Sequence, residues 1–343
     1  MLGARDLIDS AIATGRPPGA VLVTGRAGDI DQTYATGCLA TGGAPVTTDS
    51  VFDLASLTKV LATLPSILRL ANDRALDFDD PVVRYVPGFG GGVRDTVTIR
   101  QLLSHTSGLP DGYAFYELDT DEEQRWQAVP QVPLVAAPGS SMVYSDIGFL
   151  LLGMIVEEIT GVGLDSAAHA LVFGPLGMTE TRFRPPDEWL PRCAATERDA
   201  RGVAKVGVVH DENAESLGGV AGHAGLFSTG PDVARYLAAW CEPTINGLVR
   251  PEIRAEALRC QTAHLPARRG LGWTLRGDRW DHMGRDWPWT AVGHTGFTGT
   301  SAALDPISGH WAVLLTNEVH LGRDGRIIVA LRREVHDALA ADF

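Results

Sequence analysis

The chain has 343 residues, 45% hydrophobic and 21% charged, the composition of a folded globular protein long enough to bury a sizeable core. Its formal net charge of −13 at pH 7 argues against nucleic acid or an anionic membrane as partner, because both call for basic patches. Cys38, Cys193, Cys241 and Cys260 form no Cys-x-x-Cys pair and no zinc spacing, so they read as small buried apolar residues rather than a disulfide or metal framework.

In chain order, Leu7, Ile8, Ala11 and Ile12 recur at helical spacing and predict an opening amphipathic helix. The first nine residues carry acids where a signal peptide needs a basic start and an apolar run, so the expected compartment is the cytoplasm. Ala20 to Thr24 and Gln32 to Gly37 read as strands around a turn at Gly25 to Asp31. Val51 to Ala55 leads into a helix over Leu57 to Ala71, kinked at Pro65. From about 66 to 262 the pattern is helices joined by Gly/Pro-rich loops. One covers Thr98 to Ser104 and another Ile147 to Thr160, the latter closed by Gly161. The longest apolar stretch, around Ile147 to Val156, is too short to span a bilayer. Gly270 to Leu275, Ser301 to Leu304 and His310 to Thr316 look extended, with a turn at Asp305 to Gly309, and Arg326 to Ala341 forms a closing helix. Strands at both ends with helices between predict an α+β fold. It is one domain over 1–343, with an α/β part at about 1–65 and 263–343 and a mostly helical part at about 66–262.

Only two lysines occur, Lys59 and Lys205, among 29 basic residues. Arginine replaces lysine in most surface roles but cannot give up its proton in a protein, so a retained lysine invites a chemical reading. Lys59 lies three residues after Ser56 in Ser56-Leu57-Thr58-Lys59, and one helical turn puts those positions on one face. The amine then reaches the hydroxyl and activates it as a nucleophile. Lys205 has no comparable partner in the sequence.

Two further segments complete a constellation: Tyr144-Ser145-Asp146, just before the apolar helix, and His294-Thr295-Gly296, before a strand. In order and approximate spacing these resemble the serine β-lactamase, penicillin-binding protein and family VIII esterase group. That group carries Ser-x-x-Lys, then Tyr-x-Asn or Ser-x-Asn, then Lys-Thr-Gly or His-x-Gly. Leu102 to Pro110 and Gly218 to Ser228 resemble its class C-like branch. The resemblance implies a β-lactamase/transpeptidase-like fold, with an antiparallel sheet built from both chain ends, flanking helices and a helical subdomain. It implies Ser56 as nucleophile, with Lys59 and Tyr144 sharing general base and acid work, and the sequence does not choose between them. A phenol, with its reference pKa near 10, needs a nearby cation to act near neutrality. It also implies an oxyanion hole from the backbone N–H groups of Ser56 and Phe297, such donors being worth about 3–4 kcal/mol each. Gly296 and Gly299 would let the backbone approach substrate closely.

Two departures bear on substrate. His294 stands where penicillin-recognising members carry lysine, and a neutral imidazole attracts an anion less strongly. Asp146 stands where asparagine is usual; ionised, it only accepts, and it would pair with Lys59 and push the base role toward Tyr144. Both point away from β-lactams and D-Ala-D-Ala peptides. The expected reaction is acyl transfer from a small-molecule ester, lactone or amide to water, an amine or an alcohol, without cofactor or metal. A β-lactamase or carboxypeptidase-like hydrolase and a non-catalytic binding protein are the alternatives. Asp146, His294, Thr295 and Gly296 are the candidate substrate contacts. His210 and Glu212, in the polar run Val209 to Ala214, are added as cleft residues against the alternative of a solvated loop. His210, Asp211 and His223 lack a recognised metal spacing. Trp280, Trp287 and Trp289 are a candidate apolar wall.

Overall fold

The computed structural model describes residues 2–199 and 201–341. Alternation organises its main sheet. In β1 (Gly19–Arg26), Ala20 and Leu22 enter one core while Val21 and Val23 enter another. Strand β1 pairs antiparallel with β2 (Asp29–Gly37) on one side and with β9 (His310–Thr316) on the other. Three short strands extend the sheet: β8 (Ser301–Leu304), β7 (Val292–Thr295) and β6 (Thr274–Leu275), giving the order β2-β1-β9-β8-β7-β6. Both chain ends therefore build one antiparallel sheet, as expected. The terminal helices Ala4–Ala13 and Ile328–Ala340 cover one face, where Ile8, Ala11, Leu331 and Val335 pack with Leu22 and Leu314. The helix Gly230–Cys241 covers the other.

A second, three-stranded sheet was not foreseen. Here β3 (Val51–Asp53) and β4 (Arg182–Phe183) flank β5 (Leu226–Thr229), with order β3-β5-β4. Strands of two to four residues carry too few alternations to register in sequence. The extended stretch expected at Gly270 to Leu275 shrinks to β6, because Gly272 takes a left-handed conformation at φ 74°.

Two helix starts set the site. The Ile99–Leu103 helix begins with a capping box between Thr98 and Gln101. The Asp146–Thr160 helix is capped by Ser145, whose Oγ accepts from the Gly148 N–H at 3.3 Å, and it ends at left-handed Gly161. Among the described residues no single helix is long and apolar enough to cross a membrane. The segment expected as one kinked helix after Ser56 is a tight turn Ala55–Leu57, a wide turn Lys59–Thr63 and an α-helix Leu64–Asn72 with Pro65 in its first turn.

Candidate active site

Ser56 follows Ala55, a non-glycine residue held at φ 46°. Such backbone persists only where its surroundings over-determine it. Asp53 supplies that constraint. One of its carboxylate oxygens accepts from the Ala55 N–H at 2.8 Å, the other from the His210 N–H at 2.6 Å. Burial pushes the Asp53 carboxyl above its ordinary pKa, against those two bonds.

Lys59 is fully buried. Its Nζ donates to Ser56 Oγ at 3.0 Å and to the His223 carbonyl at 3.0 Å. It lies 2.7 Å from an Asp146 carboxylate oxygen, as a charge pair rather than an aligned hydrogen bond. Burial pulls the lysine pKa down most strongly. The Asp146 carboxylate and then Tyr144 outweigh it together, so the ammonium is held above its usual value. The Tyr144 ring centroid is 5.0 Å from Nζ, and that ring packs 4.5 Å from the His105 ring. His105 in turn fixes the second motif, its Nδ1 accepting from the Ser145 N–H at 3.0 Å.

The third motif runs along β7. His294 is buried, its Nδ1 donates to the Thr295 carbonyl at 2.9 Å, and its Nε2 has no partner among the described residues. Burial, with Lys59 and Arg269 nearby, lowers its pKa to about 3, so the ring is neutral at pH 7. Gly296 is required by contact with the chain itself. A Cβ there would lie 2.1 Å from Thr300 Oγ1 and 2.3 Å from the Leu54 carbonyl oxygen. A Cβ on Gly299 would lie 2.2 Å from Thr316 Oγ1. The close approach expected toward substrate is thus an approach of this loop to its own neighbours. Thr298 and Thr300 stitch it to the Asp53 and Leu54 carbonyls at 2.7 and 3.1 Å. That stitching sets Phe297 beside the Ser56 turn.

Ser56, Tyr144, His294, Thr295, Gly296 and Phe297 line one cavity of about 400 Å³. Arg269, Arg279, Arg326, Arg332 and Arg333 line it too, against one carboxylate, Asp281, which pairs with Arg276. Arg332 is buried and donates to the Gly296 and Thr300 carbonyls at 2.7 Å each. Arg269 is buried against Asp278 at 3.1 Å. These arginines escaped the sequence reading because they are scattered along the chain and only the fold gathers them. Of the three tryptophans, Trp280 lines the cavity. Trp287 is in the core under the terminal helices, donating to the His336 carbonyl, and Trp289 is exposed beneath Arg268.

His210 and Glu212 do not line this cavity. His210 is buried between Glu197, 3.0 Å away, and the exposed Phe297 ring, and Glu212 pairs with Arg323. Their segment is a tie rather than a solvated loop. The His210 N–H holds Asp53, Asp211 holds the His223 ring at 2.9 Å, and Asn213 Oδ1 accepts from the Phe115 N–H at 2.9 Å. Carboxylate oxygens of Asp146 and Asp211 and a His223 ring nitrogen come within 4.8 Å of one another, a spacing that suits a metal ion, but the Lys59 ammonium already stands beside them as the cation.

A serine hydroxyl 3.0 Å from a buried lysine, with a tyrosine ring packed on that lysine and a strand-borne His-Thr-Gly lining the same cavity, is an arrangement that suits a serine hydrolase or acyl-transfer centre. Residues 4–337 match the family described as Beta-lactamase, and the chain belongs to that family. It is 34% identical over 309 residues to the protein named "Putative D-alanyl-D-alanine carboxypeptidase" of Escherichia coli (strain K12), covering 80% of this chain and 70% of that one. It is 33% identical to an N-acetylmuramyl-L-alanine amidase of Bacillus subtilis (strain 168), covering 92% and 80%. Among solved structures, EstCE1, a hydrolase with promiscuous acyltransferase activity, superposes with a TM-score of 0.77 at 23% identity, covering 98% of this chain and 97% of that one.

Proposed function

We propose that the protein is a serine acyl-transfer enzyme acting on a small-molecule ester, lactone or amide through an ester at Ser56. The observation that carries this is the Lys59 ammonium, 3.0 Å from Ser56 Oγ and 2.7 Å from Asp146. With Lys59 held as a cation, Tyr144 is the base. The step requires a deprotonated phenol oxygen, for which Lys59 is the neighbouring cation; that oxygen takes the Ser56 proton while Oγ bonds to the acyl carbon. The developing oxyanion is received by the Ser56 and Phe297 N–H groups. Tyr144 then returns the proton to the departing alcohol or amine. Water, an amine or an alcohol attacks the acyl ester, Tyr144 takes its proton, and Ser56 leaves with that proton restored.

Arg279 and Arg333, the exposed arginines of the cavity wall, favour a substrate carrying a carboxylate or another anionic group, because they supply the positive charge that neutral His294 lacks. The same observation, with the names of the two curated relatives, supports a second reading: a hydrolase of peptides bearing a free carboxylate.

Intact-protein mass spectrometry tests the reading. Wild type and Ser56→Ala are incubated with a p-nitrophenyl ester and a fluorophosphonate, with and without added amine. A Ser56-dependent adduct is expected. Release that requires amine identifies a transacylase, and release in water alone a hydrolase. Failure of both reagents to label wild type would favour a non-catalytic binding protein.

A further inference from the structure

Lys59 has a second layer of support on its far side from the cavity. Its Nζ donates to the main-chain carbonyl of His223 at 3.0 Å. The His223 side chain is 1% exposed, and its Nε2 is 2.9 Å from Asp211 Oδ1. The same Asp211 oxygen accepts from the Ala214 N–H at 2.8 Å, capping the short helix Glu212–Ser216. Carboxylate oxygens of Asp146 and Asp211 both fall within 4.8 Å of a His223 ring nitrogen. Lys59 is thus set between one carboxylate that touches it and another one residue removed.

We propose that Asp211 and His223 are positioning residues for Lys59. The imidazole–carboxylate contact fixes the His223 carbonyl against the lysine, and the Asp211 charge adds to that of Asp146 in keeping the amine protonated. Lys59 then presents Ser56 with a hydrogen-bond donor and leaves proton removal to Tyr144. This rests on the reading of Ser56 as the acylated group. The interaction runs both ways: burial raises the Asp211 pKa most, yet the His223 and Lys59 charges and the bonds to His223 and the Ala214 N–H bring it below the usual carboxylate range. The other ionisable groups facing Lys59 are Tyr144 and Asp146 at the head of the Asp146–Thr160 helix, His294 on β7 and His105 after the Ile99–Leu103 helix, with Arg269 before β6 behind the two histidines. His105 and His294 are neutral at pH 7 and Arg269 is a cation. Asp146, with Tyr144 beside it, is what favours the ammonium most, and Asp211 acts in the same direction from one residue further away.

The chain offers a direct readout. With only Lys59 and Lys205 present, ¹³Cε-lysine labelling yields two side-chain signals, and Lys205, paired with Glu215, is the internal reference. The variant is Asp211→Asn in the full chain, because asparagine still caps the helix. Removing the charge is expected to lower the Lys59 titration midpoint by about one pH unit, with Lys205 unmoved. The pH profile of Ser56 acylation by a p-nitrophenyl ester is expected to move the same way. An unchanged Lys59 midpoint in a folded Asp211→Asn protein overturns the proposal. If that variant does not fold, Asp211→Ser also removes the charge while serine keeps the helix cap, and it is read by the same signal with the same two outcomes. The lysine signal needs no turnover. A shifted midpoint without any Ser56 adduct would sink the acyl-transfer reading alone, and a normal adduct with an unmoved midpoint would sink the positioning role alone.

Discussion

A carboxylate oxygen of Asp146 lies 2.7 Å from the buried ammonium of Lys59. This aspartate, where an asparagine would bring no charge, offsets the desolvation that otherwise favours a neutral amine. Asp146→Asn is therefore expected to lower the Lys59 pKa and to move the limb of the acylation pH profile that reports it to lower pH by about one unit or more. Stopped-flow acylation across pH measures the shift, and an unmoved limb contradicts the pairing.

On the proposed mechanism Tyr144 carries the proton. Tyr144→Phe keeps the ring against His105 and removes only the hydroxyl. Acylation is expected to slow by about 10²–10⁴-fold, the usual contribution of a positioned general base, with KM little changed. Single-turnover kinetics separates the two terms. Near-normal acylation would return the base role to Lys59.

The cationic wall should be visible in selectivity. Arg279 and Arg333 line the cavity from exposed positions, so their removal is expected to leave the fold intact. Combined replacement by alanine should raise KM about tenfold or more for an ester bearing a carboxylate, the scale of a lost charged hydrogen bond, and leave an uncharged ester unaffected. Equal losses on both substrates would mean that the arginines do not read charge.

Four buried histidines set the acid limit of stability. His294 and His336 have pKa values lowered to about 3, and His105 and His282 fall well below the ordinary 6.5, all principally by burial. Each is neutral when folded and takes up a proton on unfolding below pH 6.5. Their stabilising effect is full above that pH and is lost as pH falls toward the folded values. The loss is at most about 1.4 kcal/mol per pH unit for each histidine. The urea midpoint is accordingly expected to be lower at pH 5.5 than at pH 7, a range above most carboxylate titrations. A flat or rising midpoint would show that these rings are charged or solvated in the folded protein.

Much of the site was legible because its chemistry is local in sequence. Ser56 and Lys59 are one turn apart, and the aspartate of Tyr144-Ser145-Asp146 pairs with the lysine as its charge foretold. The sheet from both chain ends followed from where the β-branched runs stood. What sequence could not supply was neighbourhood. Gly296 carries no mark to say that it is pressed on Leu54 rather than open to substrate. Arg269, Arg279 and Arg332 have no motif. His210 looked like a cleft residue because polar runs between apolar stretches often are, whereas its N–H holds Asp53 and its ring is covered by Phe297.

The pairing of β1 with β9 has a consequence for the timing of activity. A ribosome completes Ser56 and Lys59 early, but the strand bearing His294 and the loop bearing Phe297 emerge more than 200 residues later. The first strand must wait nearly the whole length of the chain for its central partner, a pairing that is slow because the loop to be closed is long. Until that closure the cavity that Ser56 shares with His294 and Phe297 lacks most of its wall, so the pocket comes into being only when the last strands dock.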